Sequence, residues 1–111
     1  MDNSTACWVV YTHVASKAKA SDMARALIEG RHAACVNMIG PVESVYEWQG
    51  KVETASEWML MMKCSEQQLG GLKEAVLRLH DYDLPELIVL PITQGHAPYL
   101  EWIQASGRKT A

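Results

Sequence analysis

The chain has 111 residues, 49% of them apolar and 21% charged, the composition of one soluble globular domain of ordinary size. Its formal charge of -3, from 10 Lys and Arg against 13 Asp and Glu, argues against a nucleic-acid binder. No apolar run approaches the roughly 18 residues that cross a bilayer, Met1–Thr5 lacks the basic start of a secretory signal, and three cysteines without CxxC spacing predict reduced thiols in the cytoplasm.

Residues 1–6 are small and polar and read as a frayed tail. Cys7–His13 is a short run rich in β-formers, expected as a central strand. Ser16 offers a helix N-cap, Ala20, Met23, Ala24, Leu27 and Ile28 follow at helical spacing, and Gly30 is the stop. Cys35–Cys64 then holds two period-2 runs flanking Gln49-Gly50. Val42, Ser44, Tyr46 and Trp48 share one parity, opposed by Glu43 and Glu47. In the second run Val52, Thr54, Ser56, Trp58, Leu60 and Met62 oppose Lys51, Glu53, Glu57 and Lys63. Two such runs about a glycine turn predict a hairpin. Each arm exceeds ten residues, against about five or six for an ordinary strand, so the ribbon needs something beyond its own domain to lie on. Another copy of the chain is the natural choice.

Ser65-Glu66-Gln67-Gln68 has the form of a capping box, and Leu69, Leu72, Val76 and Leu79 make the stripe of a second helix. Gly70 and Gly71 lie inside it, each costing about 1 kcal/mol relative to Ala, which predicts a soft first turn. Leu87–Ile92 is a continuous apolar strand whose Pro91 marks an edge or bulge. Tyr99–Ile103 begins a short terminal helix, and 107–111 read as disordered. The order strand, helix, strand, strand, helix, strand predicts an α+β, ferredoxin-like βαββαβ sandwich spanning 1–111 as a single domain, its ordered core about 7–106. Both helices fall on one face, leaving the other without a helix of its own.

The segments Ala33–Asn37, Ser44–Glu53, His80–Leu87, Leu90–Ile92 and Tyr99–Ile103, in that order, resemble the CutA family of divalent-cation tolerance proteins over roughly residues 8–106. The resemblance implies a ferredoxin-like fold related to PII signalling proteins, a tight homotrimer interlocked through the long hairpins, and a role in tolerance to copper and other divalent metals. Tyr46, Trp48, Trp58 and Met62 are then the expected trimer interface, each worth on the order of 1.5–3 kcal/mol if fully buried. In one branch of that family the metal ligands are a first-strand cysteine and two adjacent histidines; the matching positions here are Tyr11, Leu79 and His80. Asp81 stands where proline is usual, adding a carboxylate that shifts preference towards harder ions.

The residues themselves place the best metal candidate at His80, with Asp81, Asp83 and Glu86 following on one loop, a set suited to copper, zinc or nickel. The plainer alternative makes His80 the cap of a helix C-terminus and the aspartates turn residues. Lys51 and Glu53 near the hairpin tip, with Tyr82 and Glu86, are candidates for a cleft between subunits, or simply solvated charges. Cys35 reads as a buried bystander, and His13, His32 and His96 stand isolated; His32 occupies a position where the family usually has leucine. With no Gly-x-Ser-x-Gly, phosphate loop or metal clip, the expectation is a non-catalytic cytoplasmic binding protein needing no cofactor, without nucleic-acid or membrane partners. Two alternatives are a PII-like regulator holding a small metabolite in the intersubunit cleft and a purely structural trimer whose cation effect is indirect.

Overall fold

Strict alternation builds the middle of the sheet. In β1 (Cys7–Val14) Trp8, Val10, Thr12 and Val14 share one face, and Cys64, Met62, Leu60 and Trp58 of β3 (Lys51–Ser65) are their antiparallel partners on it. A computed structural model describes residues 6–108, so the expectations for 1–5 and 109–111 lie outside the described residues. Helices α1 (Lys17–Glu29) and α2 (Glu66–Leu79) cover this face, burying Met23, Leu27, Leu72 and Val76 against Val10, Val14, Leu60 and Met62. The strand β2 (Cys35–Trp48) adds to the far side of β3, and β4 (Ile88–Ile92) to the far side of β1. The order is β2-β3-β1-β4, antiparallel at every pairing, as the βαββαβ reading requires. Pro91 fits because β4 is an edge strand.

Local chemistry sets the helix ends. Ser16 Oγ accepts from Lys19 N at 3.0 Å. At the far end Gly30 is the cap, but the left-handed step falls one residue later, on Arg31 at φ 60°. Ser65 and Gln68 form the expected box: Gln68 N donates to Ser65 Oγ at 3.2 Å and Ser65 N to Gln68 Oε1 at 3.0 Å. The Gln68 amide also donates to Arg31 O at 2.9 Å, tying the first helix's exit to the second helix's start. His32 finds its explanation beside it. A Cβ on Gly30 would meet the His32 ring at 2.8 Å, so the imidazole occupies space that this capping glycine leaves open.

Two expectations about the C-terminal part are corrected. The helix α3 (Ala97–Arg108) includes 107 and 108, which therefore do not belong to a disordered tail. It also lies over one end of the second sheet face: Lys63 Nζ sits 5.8 Å from the Tyr99 ring centre, Cys7 Sγ donates to Leu100 O at 3.6 Å, and Ile103 is fully buried. That face is only partly bare. Residue 6 is likewise held, its carbonyl accepting from Glu66 N at 3.0 Å.

The long hairpin is present, with arms of 14 and 15 residues. Gln49 (φ 52°) and Gly50 (φ 80°) both take the left-handed conformation that a two-residue I′ turn demands. An irregularity between Ile39 and Val42 changes what the alternation means. Before it, Val36 and Met38 pair with Met62 and Leu60 on the helix face; after it, Val42 pairs with Glu57, Tyr46 with Glu53 and Trp48 with Lys51 on the opposite face. Even-numbered β2 positions thus change sides at Gly40-Pro41. Tyr46 and Trp48 do not share a surface with Trp58 and Met62, as the interface expectation assumed. Met62 is wholly buried in this subunit's own core and has no surface to offer a neighbour. Trp58 packs over Gly40, where a Cβ would run into its ring, with Lys17 Nζ 5.5 Å from the ring centre.

Candidate functional site

Beyond the irregularity, the second sheet face and the 80–87 loop enclose a cleft of about 610 Å³. One wall is hairpin: Ser44, Tyr46 and Trp48, the two aromatic rings about half exposed. His13 at the end of β1 and Glu57 of β3 form the base, and Tyr82, Asp83, Leu84 and Glu86 come from the loop. Strand alternation puts His13, Glu57 and Tyr46 on this side, whereas the loop reaches it because α2 ends at His80, whose N donates to Val76 O at 2.9 Å.

A chain of hydrogen bonds fixes the loop to the sheet. The Tyr82 hydroxyl donates to Glu57 Oε2 at 2.6 Å, and His13 Nδ1 lies 2.7 Å from Glu86 Oε2. Between them His80 uses both ring nitrogens: Nδ1 accepts from Tyr82 N at 3.1 Å, which puts the ring proton on Nε2, 2.7 Å from the His13 carbonyl oxygen. The His80 and Tyr82 rings meet edge to face at 4.7 Å. Thr12 Oγ1 donates to Glu86 O at 2.6 Å, closing the strand side. Burial, then the hydrogen bond to Glu57 and the negative charge around it, push the Tyr82 phenol well above its ordinary range. It is the neutral partner of a carboxylate.

The predicted metal set does not converge. The His80 side chain has no exposed surface and no free ring nitrogen; it stands at the helix C-cap and braces the loop. Asp81 Oδ1 stands 3.9 Å from His80 Nδ1 with its side chain largely in solvent. Tyr11 is flanked on the sheet by Met61 and Ile88, and Leu79 packs against the core. Only Asp83 and Glu86 reach the cleft. Among the described residues no group of three His, Cys, Asp or Glu side chains is placed to hold a metal ion. Lys51 and Glu53 share the hairpin face farther out but do not line the cleft, whereas Tyr82 does.

Two cleft residues escape the sequence reading. Glu57 looks solvated by alternation, yet it is only 9% exposed beneath Tyr82. His13 looks isolated because its partner, Glu86, is 73 positions away. Two of the cysteines are quieted by burial, which raises the Cys7 thiol and pushes Cys64 up to about 12; Cys35, expected to be buried, is only half-buried.

The family model described as CutA1 divalent ion tolerance protein matches residues 8–106. Protein CutA, chloroplastic, of Arabidopsis thaliana is 44% identical over 100 residues, 90% of this chain and 55% of that protein. The divalent-cation tolerance protein CutA of Thermus thermophilus is 42% identical over 96 residues, 86% of this chain and 93% of its own. The chain spans about half the length of the plant and animal relatives it matches, from 48% to 58%. Among solved structures, CutA1 from Oryza sativa superposes with a TM-score of 0.88 at 43% identity, covering 95% of this chain and 96% of that one. The PII-like protein CutA from Nostoc gives 0.83 at 32% identity, covering 90% and 96%.

Proposed function

Since this chain belongs to the CutA1 divalent ion tolerance family, we propose that it is a non-catalytic divalent-cation tolerance protein that works as a homotrimer. The hairpin carries the assembly: its outer part leaves Val45 68% and Val52 77% exposed, and beside β1 the edge strand leaves Ile88 and Leu90 nearly half exposed. Sister copies are the simplest cover for a long two-sided ribbon with apolar positions on both faces. Val45 and Val52 take part in that contact, while Met62 does not. Light scattering at working dilution tests this; the mass of one chain would overturn it.

Copper or a related divalent ion is the cargo that family membership suggests. His80 is not its ligand in this reading. Ions meet the chain at the carboxylates of the cleft rim, Asp83 and Glu86, keeping their water and binding weakly. Titration of metal-stripped protein with copper, zinc and nickel should give the same weak heats for the native chain and for His80→Ala. Micromolar binding that disappears in His80→Ala overturns the assignment.

The three unbridged cysteines fit a reducing compartment, for which we take the cytoplasm. The compartment differs among relatives, one being named chloroplastic and another periplasmic. A PII-like regulatory role has the cleft in its favour but fits less well, because the relatives from Thermus thermophilus and Pectobacterium atrosepticum are named for divalent-cation tolerance.

A further inference from the structure

Glu57 is the least ordinary residue of the molecule. It is a carboxylate only 9% exposed, set at the base of a cleft, and its hydrogen-bond partner is the neutral phenol of Tyr82. The described histidine–carboxylate contacts join His13 to Glu86 and His80 to Asp81, and Glu57 belongs to neither. Taking a charged carboxylate out of water is costly unless a positive charge comes to it. No Lys or Arg is among the described residues that line the cleft; Asp83 and Glu86 add two further acids, against which only His13 can carry positive charge. Tyr46 and Trp48 line the hairpin side, each nearly half exposed, and a cation held over an aromatic ring gains a further attraction that grows when water is excluded. The volume, about 610 Å³, is that of a small-molecule site.

We propose that the cleft between the hairpin aromatics and the 80–87 loop binds a small organic cation, its ammonium or guanidinium group neutralising Glu57 and its carbon body lying on Tyr46 and Trp48. A compact hydrated metal ion gains nothing from the aromatic wall. The inference rests on the fold of one subunit and adds a ligand class to the cation-tolerance reading.

The test is calorimetric titration of the full-length protein, in its native assembly, with agmatine and putrescine. Zinc chloride and succinate serve as the comparison arms. Saturable binding of at least one amine is expected, at least tenfold weaker in Glu57→Gln and severalfold weaker in Trp48→Leu, with no saturation by succinate. Asp83→Asn, at an exposed rim position, guards against a folding artefact at Glu57 and should weaken amine binding by a smaller factor. Absence of amine binding, a Glu57→Gln protein that still folds and binds the amine equally well, or saturation by zinc or succinate alone would overturn the proposal. Any of these results leaves the oligomer mass and the His80 titration untouched, so failure here is distinguishable from failure of the tolerance reading.

Discussion

Gly40 shows how much one missing side chain does here. The Trp58 ring lies where its Cβ would be, and the even-numbered positions of β2 change faces at this point. Gly40→Ala should therefore displace an indole that is packed against the core, costing about 1–3 kcal/mol as other overpacked sites do. Urea denaturation measures it, and a loss below a few tenths would show the ring moves freely. Tyr82 gives a prediction in pH. Its phenol is raised above the ordinary 10.0 chiefly by burial and then by Glu57, so the folded chain holds that proton longer than the unfolded one. The resulting stability is present below about pH 10 and is lost as pH rises beyond it, because the native state then binds more protons than the denatured state. Tyr82→Phe should flatten the fall in urea midpoint above roughly pH 10; an unchanged slope would assign the alkaline loss to other groups.

At the scale of elements, the second helix depends on its cap. Ser65→Ala removes the oxygen that Gln68 N uses and should cost about 1 kcal/mol, visible as a lower urea midpoint with an unchanged slope. This box was legible in four consecutive residues, as were the Ser16 cap, the Gln49-Gly50 turn and the strand order, because each is written in local spacing. The face assignment of the hairpin was not. One irregularity at Gly40-Pro41 reverses every later parity on that arm, so Tyr46 and Trp48 part company with Trp58 and Met62 although all four read as one aromatic and apolar set. The cleft was legible only in part for a related reason. Tyr82, Asp83 and Glu86 sit on one stretch and could be grouped by eye, but Glu57 and His13 join them through contacts 25 and 73 positions apart. The surroundings of the His80 ring are also beyond local spacing: sequence supplies an imidazole, while only packing reveals that a backbone amide and a carbonyl meet its nitrogens.

For the molecule as a whole, shape points outward. The radius of gyration is 14.9 Å, above the roughly 13 Å of a compact domain of about 100 residues, and the longest dimension is 45 Å against 27 and 21 Å. If the projecting ribbon is buried by sister copies, unfolding and dissociation are linked, and the melting temperature must climb with protein concentration. Scanning calorimetry over a hundredfold dilution range checks this; a transition below about 60 °C that does not move with dilution would count against the assembly. The two-residue I′ turn has a further consequence for how such a ribbon changes over time. Past the kink the two arms pair without a further shift, so trimming one rung, Trp48 together with Lys51, keeps every remaining pair in register while drawing the tip closer to the body. Arm length is thus a dial that can be reset in whole rungs without disturbing the hydrophobic interior, and reach towards a neighbour can evolve separately from the stability of the fold.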